Sequence, residues 1–502
     1  MGFSEKDIIR EGELNMEKIM LGVSIIILIS AFSTKLSKRF NVPLLIIFLL
    51  IGMLAGSEGI GKVYFDDSNI AYIVATLSLI FILFAGGLET QVDDIKPVLK
   101  EGASLSVVGV LLNAVFFAFP IYYLTKLNLA ESFLASATVA STDAATVFFL
   151  LKFNNINLKY KLRNILEFES GSNDPMAYVL VLIFISVVKA EGDSILYYVI
   201  FFFSQMLIGL GMGFLCGYLS EIVLEKLKLK IEELYSIVLV GILLLTFSTT
   251  NLLYGNGFLA IYILGIMIRS KKYLFKNSTL KFFSVISWFM QMTLFICLGL
   301  LVFPSKLIGF AFVGIILALI LVFVVRPASV FATLYFFGKK LNTPSKLYLS
   351  WGGLKGAVPI VFAIFVLVSK IPSSDIIFNL IFFIVIVSVL IQGTTLAFGA
   401  KFLKLNSDED ILKNKSDTEE LEYFEDQMLE FNVRENSTII DKKISEITFP
   451  EDTLITLVKR GKEYIHPKGS TKIKVNDKLI IMCKDKIEFF NYVNEMHQVE
   501  SS

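Results

Sequence analysis

The run Leu166-Glu167-Phe168-Glu169-Ser170-Gly171-Ser172-Asn173-Asp174-Pro175 sets carboxylates, hydroxyls and an amide in the first half of an apolar segment that continues to Val188. An ionisable group at bilayer depth costs roughly 2.5–3.5 kcal/mol on insertion scales, so it faces a partner or a water-filled path. At helical spacing Ser170 and Asp174 share one face as an i, i+4 pair, and so do Glu169 and Asn173. The run therefore offers an oxygen-lined cation site beside a carboxylate held by an amide. The plain alternative is a structural acid satisfied by a neighbouring helix. A carboxylate in apolar surroundings is costly to leave charged and alone, so Asp174 is expected to hold a proton or a cation in turn. That competition would couple the two.

Two further stretches break the apolar pattern. Ala140-Ser141-Thr142-Asp143-Ala144-Ala145-Thr146 puts a carboxylate and hydroxyls in mid-segment. Trp351-Gly352-Gly353-Leu354-Lys355-Gly356-Ala357-Val358-Pro359 combines three glycines, a lysine and a proline in another. Glycine and proline interrupt the helix ladder, and freed backbone groups at that depth are tolerated only where they line a cavity or are buried in protein. Half-helix ends there carry partial charges of about half a unit, positive at N-termini and negative at C-termini. Asp143 suits the positive ends and Lys355 the negative ones. Asp143 reads either as a ligand or as a purely structural cap, and Lys355 as a structural counter-charge.

The elements that position these residues follow from composition. The chain has 502 residues, is 55% hydrophobic and has a mean hydropathy of +0.71, and the apolar residues come in runs rather than stripes. A soluble domain of this size is excluded and an all-α polytopic membrane protein follows. The runs give thirteen candidate spans from 17–34 to 374–402. The fifth lies at 131–150, the sixth at 163–189, the eleventh at 307–337 and the twelfth at 346–369. Breaks in the fifth and twelfth, about 210 residues apart, fit one discontinuous helix in each half of an inverted repeat, with spans 1–6 and 8–13 as the halves. Loops on one side carry clusters such as Lys159, Lys161 and Arg163, whereas the other side has Lys62, Lys126, Lys189, Lys306 and Lys370. The bias puts the N-terminus outside and the C-terminus in the cytoplasm. Residues 1–15 are polar and charged, unlike a cleavable signal peptide.

Other chemistry is sparse. Cys216, Cys297 and Cys483 form no metal spacing, and His466 and His497 lie outside the apolar part, so proton chemistry in the membrane falls to carboxylates. A net charge of +1, spread over many loops, gives no nucleic-acid surface. No nucleophile–base set indicates an enzyme, and no cofactor is implied. After the membrane domain, 1–402, a charged linker is expected at 403–426 and a small α+β cytosolic module at 427–502. Its short β-prone runs are Thr438–Ile440, Thr453–Val458, Lys472–Val475 and Lys478–Met482, with an amphipathic helix at 486–496. So small a module is a candidate for pairing with its own copy.

The Glu169-Ser170-x-x-Asn173-Asp174 run, the Thr142-Asp143 pair and the Gly352–Ala357 break together resemble the CPA1 group of monovalent cation/proton antiporters. The Gly171–Pro175 form is most similar to bacterial potassium/proton antiporters of the NhaP2/CvrA type. Ile444-Ser445-Glu446-Ile447, Val458-Lys459-Arg460-Gly461 and Val475-Asn476-Asp477 resemble the C-terminal subdomain of RCK (TrkA-C) regulatory modules. The resemblance implies an NhaA/NhaP-like fold with inverted repeats and two broken, crossing helices. It implies that Asp174 binds cation or proton, that Thr142, Asp143 and Ser170 contribute ligands, and that Glu169 pairs with Arg326 in the eleventh span. Asn173 stands where electrogenic relatives have a second aspartate, which implies electroneutral exchange. Many relatives have arginine at the position of Lys355, and lysine lacks the fork of donors. The resemblance further implies a bacterial plasma-membrane homodimer. Related tails bind small ligands such as cyclic di-AMP, for which Arg460, His466 and Lys468 are polar candidates, while no GxGxxG half indicates a nucleotide-binding Rossmann unit.

Potassium is the leading cargo and sodium the alternative. An RCK-gated cation channel is a second class, against which stands the lack of a Thr-Val-Gly-Tyr-Gly filter. A non-transporting sensor is a third, and intact acids in the fifth and sixth spans argue against it.

Overall fold

The computed structural model describes residues 20–22, 24–30, 32, 43–143, 146–147, 150–151, 156–189, 194–227, 231–271, 273, 275–337, 341–406, 428–433, 437, 439–447, 449, 453–461 and 463–483. The chain divides into two compact units, Met1–Asn406 and Ser407–Ser502.

The first unit is helical. Its helices are α1 (Met20–Ser30), α2 (Leu44–Ala55), α3 (Ser68–Glu89), α4 (Val92–Leu124), α5 (Leu129–Thr138), α6 (Leu162–Val188) and α7 (Ile195–Leu227). They continue with α8 (Glu232–Leu252), α9 (Gly257–Ser270), α10 (Lys276–Leu301), α11 (Pro304–Phe337), α12 (Thr343–Trp351), α13 (Ala357–Val368) and α14 (Ser374–Phe402). Local chemistry sets several starts. Asp67 accepts the Asn69 and Ile70 N–H groups at the head of α3, and Asn128 with Glu131 closes a capping box on α5. Asn256 and Asn342 cap α9 and α12, and Pro304 opens α11.

Among the described residues, eight helices are long and apolar enough to cross a membrane: α3, α4, α6, α7, α8, α10, α11 and α14. Four shorter apolar helices, α1, α2, α9 and α13, accompany them. Of the thirteen candidate spans read from the sequence, eight are thus long apolar helices, and those at 43–58 and 256–269, short in the sequence too, are the short helices α2 and α9. The fifth and twelfth spans are interrupted where the sequence breaks the apolar pattern: the chain leaves helical geometry after Thr138, and again between Trp351 and Ala357. Part of the first expected span, at 17–19, 23, 31 and 33–34, lies outside the described residues.

Two groups of helices emerge from the packing. α2, α3 and α7–α10 pack together, and α4–α6 pack with α11–α14. In the first group small residues allow close crossings: a Cβ at Gly52 or Gly299 would strike the other helix's backbone, as would one at Gly87 or Gly265. The groups meet where α3 lies on α13 and α9 on α6. There Tyr72 and Phe365 place ring centroids 4.8 Å apart, and Tyr178 and Phe258 4.9 Å apart. In the second group α4 and α11 each contain a π-helical turn, Leu105–Gly109 and Leu321–Val325.

The second unit holds an antiparallel four-stranded sheet of order β1-β4-β2-β3: β1 (Met428–Asn432), β2 (Thr453–Arg460), β3 (Glu463–Ile465) and β4 (Lys478–Cys483). Val433, Ile439, Ile455, Val458, Ile473, Leu479 and Ile481 form its core. Two expected strands are corrected. Ile439 and Ile440 lie in a turn, and 472–475 offers one isolated bridge from Lys472 to Lys443. Both segments still bury an isoleucine in the core without joining the ladder. The expected helix at 486–496, and the linker beyond Asn406, lie outside the described residues.

Candidate functional site

The two breaks meet and satisfy one another. The Asp143 N–H donates to the Leu354 carbonyl at 2.9 Å, tying the interruption after α5 to that between α12 and α13. The Lys355 ammonium donates to the Ser141 carbonyl at 2.8 Å and the Ala140 carbonyl at 3.3 Å, placing positive charge just past the C-terminal end of α5. The Lys355 N–H donates to Ser388 Oγ at 3.0 Å, and Gln392 Nε2 donates to the Trp351 carbonyl at 2.8 Å. Two polar residues one turn apart on α14 thus occupy backbone groups freed by the glycine break. Asp143 accepts the Thr146 N–H at 3.1 Å and the Thr146 hydroxyl at 2.7 Å. Gly356 is required by proximity, because a Cβ there would fall on the Asp143 carboxylate.

α6 grips the first break from the other side. Ser170 Oγ donates to the Thr142 carbonyl at 2.7 Å, Asn173 Nδ2 donates to Thr142 Oγ1 at 2.7 Å, and the Thr142 N–H donates to Asn173 Oδ1 at 3.3 Å. The amide of Asn173 is therefore engaged with Thr142 rather than with Glu169 one turn away. Glu169 is held by Arg326 from α11, which follows the π turn, with Nη2 to Oε1 at 2.5 Å and both side chains buried. A Cβ at Gly353 would strike the Arg326 guanidinium, so the second break also makes room for this pair.

Asp174 stands apart from these clamps. It is 5% exposed, and its Oδ1 accepts no hydrogen bond among the described residues. Asp143 and Lys355 are the charged groups acting on it. It lines a cavity of about 70 Å³ bounded by α3, α6, α9, α10 and α13, with Glu89, Thr90, Asp143, Glu167, Ser170, Gly171 and Tyr262 in the wall. The cavity thus lies between the two helix groups and has room for several water molecules. Beyond Asp174, Pro175 has no N–H to donate, and its carbonyl accepts Asn256 Nδ2 at 2.8 Å.

The structure brings Thr142, Ser170 and Asn173 into one cluster, sets Asp143 and Lys355 at the crossing, and joins Glu169 to Arg326. Sequence reasoning missed Glu167 and Tyr262, which share the cavity with Asp174. For Glu167 a signal was present: Glu167, Ser170, Gly171 and Asp174 follow the i, i+3, i+4, i+7 spacing of one helix face. Nothing in the sequence singled out Tyr262 among the other membrane tyrosines. No cluster of three metal-ligating side chains occurs among the described residues. In the tail, Arg460 binds Asp477 through both carboxylate oxygens at 2.8 and 2.7 Å, which occupies one of the three polar residues considered for ligand binding.

Comparison with known proteins supplies the family. The model of the sodium/hydrogen exchanger transmembrane family matches residues 24–401, and that of the TrkA-C domain matches residues 428–493. The chain is 34% identical over 462 residues to the K(+)/H(+) antiporter NhaP2 of Shewanella sp. (strain ANA-3), covering 91% of this chain and 80% of that one. It is 31% identical over 478 residues to the K(+)/H(+) antiporter NhaP of Alkalimonas amylolytica, covering 94% and 82%. The sodium proton antiporter MjNhaP1 from Methanocaldococcus jannaschii has the same fold, with a TM-score of 0.67 at 22% identity over 77% of this chain and 99% of that one. The resemblance drawn from the motifs in the fifth, sixth and twelfth spans is borne out. A multi-pass membrane protein and a transporter rather than an enzyme, the chain belongs to the sodium/hydrogen exchanger family of cation/proton antiporters and carries a C-terminal TrkA-C domain.

Proposed function

We propose that the protein exchanges potassium for protons, one for one, with cation and proton competing for Asp174. The observation that carries this reading is the state of that carboxylate: buried, one oxygen without a hydrogen-bond partner among the described residues, and facing a cavity between two helix groups. A deprotonated Asp174 attracts a monovalent cation, for which the lone pairs of Ser170 and Thr142 and the cavity waters are further oxygens. A protonated Asp174 does not. Electroneutral exchange follows if Asp174 alone changes its load, with Asn173 locked on Thr142 as an uncharged clamp. Glu169 and Arg326 brace α6 against α11 and stay paired through the cycle, while Asp143 and Lys355 neutralise the interrupted ends. The names of two relatives, both K(+)/H(+) antiporters, support potassium rather than sodium as the cargo.

Alternating access is rocking of α4–α6 with α11–α14 against the other group, which moves Asp174 between the two sides. Inverted repeats are supported by a parallel arrangement: a π turn in α4 precedes the first break, and a π turn in α11 precedes the second. The loop charge bias puts Lys96 and Lys100 on the cytoplasmic side, so Glu89, at the end of α3 just before them, lies toward the inside. In this reading the TrkA-C domain regulates exchange, and the protein works as a homodimer in a bacterial plasma membrane.

The test is dissipation of a pH gradient in proteoliposomes, with potassium and then sodium added to wild type and Asp174→Asn. Potassium-driven dissipation in wild type and none in the variant supports the reading. A response to sodium alone changes the cargo, and an active variant removes Asp174 from the mechanism.

A further inference from the structure

Seven residues separate Glu167 from Asp174, about 10 Å along the axis at 1.5 Å per residue. Two helical turns bring them back to one face, and both line the same cavity with Ser170 and Gly171 between them. At the level of Gly171 the opposite wall is Tyr262 of α9. Its ring packs so closely that any Cβ at 171 would overlap it. The Tyr262 side chain is 1% exposed, and its hydroxyl has no hydrogen-bond partner among the described residues. The Thr90 and Ser172 side chains act on it as hydrogen-bonding groups, and Glu167 and Asp174 act on it through their charge. Glu167 itself is half-buried, and the charges acting on it are Arg163 on its own helix and Glu89 and Asp94 from α3 and α4. A half-buried carboxylate, a buried phenol at the level of Gly171 and a buried carboxylate thus line one cavity.

We infer that Glu167 is an outer cation station on the path to Asp174, and that the Tyr262 hydroxyl bridges the two. Gly171 is there because only a residue without a side chain lets the phenol reach into the path. The ligand is a partly hydrated monovalent cation. Glu167 raises its local concentration, and the phenol oxygen replaces a water as the ion moves inward. Neither residue changes the one-for-one exchange at Asp174, on which this inference rests.

The experiment uses the full chain in proteoliposomes and measures half-saturating potassium and maximal rate for wild type, Glu167→Gln, Glu167→Asp, Tyr262→Phe and Asp174→Asn. One unit charge acting over about 10 Å at an effective dielectric constant of 20–40 gives roughly a fourfold to fifteenfold rise in half-saturating potassium for Glu167→Gln. Its maximal rate stays within about twofold of wild type, since binding rather than turnover is affected. The excess shrinks when choline chloride screens the charge, and Glu167→Asp recovers most of the loss. Tyr262→Phe keeps the ring and raises half-saturation less. An unchanged half-saturation in Glu167→Gln at low ionic strength overturns the inference, as does a fall in maximal rate alone. If Glu167→Gln does not turn over, the potassium concentration giving half of the thermal stabilisation in detergent is measured instead, and an unshifted value also overturns it. Failure of the Asp174 reading is separate: it appears as transport by Asp174→Asn, whatever Glu167 does.

Discussion

Replacing Arg326 by alanine would remove the counter-charge of Glu169 at a place where neither side chain meets solvent. The two are 2% and 0% exposed, and Nη2 lies 2.5 Å from Oε1. The carboxylate left behind keeps its desolvation cost with only the charge of Lys355 acting against it, and breaking such a pair costs about 3–5 kcal/mol. The contact is monodentate, since Glu169 Oε2 and Arg326 Nε have no hydrogen-bond partners among the described residues. That places the expected loss near the lower end, about 3 kcal/mol. The assay is the melting midpoint in detergent of Arg326→Ala, Glu169→Gln and the double variant, followed by size-exclusion chromatography. Each single change lowers the midpoint, and the double change costs less than their sum, with a coupling of about 1–3 kcal/mol. At temperatures well below the midpoint, folded Glu169→Gln keeps its half-saturating cation concentration, because the pair braces α6 and α11 without touching the ion. A chain that melts as before but has an altered cation affinity would refute the reasoning and move the pair into the transport path.

Three other outcomes follow from the same geometry. Gly356→Ala drives a methyl group onto the Asp143 carboxylate; overpacking of this kind costs about 1–3 kcal/mol, and transport should fall with the melting midpoint. In the tail, burial would raise the Asp477 carboxyl, but the Arg460 fork and the Lys474 N–H hold it below the usual range. That stabilisation is therefore present at neutral pH and lost as pH falls below the ordinary aspartate range. Asp477→Asn should cost about 2–3 kcal/mol, read as faster amide exchange in β2 and β4 of the full chain at pH 7, with the difference from wild type shrinking in acid. Between α2 and α3 the Ser305 hydroxyl and backbone N–H hold the exposed Glu58 carboxyl below its ordinary range. This contribution too is lost as pH falls below the glutamate range, so Ser305→Ala should narrow the melting difference between pH 7 and more acid solution.

The positions of chemistry were legible because they violate the apolar pattern: carboxylates in α6, and glycine, lysine and proline in the twelfth span. The ends of α6, Leu162 and Val188, fall one residue from the expected 163–189. Partners were less legible, since periodicity gives a face but not what the face meets. Asn173 and Glu169 share a face at i, i+4, yet Thr142 takes one and Arg326 the other. Tyr262 matters through its position over Gly171, a contact between distant helices that no local spacing encodes. In the tail β3 has three residues, too few for an alternating pattern, and Met428–Asn432 carries little strand signal of its own. Ile439 and Ile473 have the side chains of strand residues, but tertiary burial uses them from turns and bridges.

The measurement that bears most directly on exchange at Asp174 is half-saturating potassium as a function of pH in proteoliposomes containing the full chain. Competition for one carboxylate predicts that half-saturation rises as pH falls, approaching tenfold per pH unit on the acid side, while the maximal rate at saturating potassium holds. Half-saturation that stays constant across pH while the maximal rate falls would contradict it, because proton and cation would then bind at separate places.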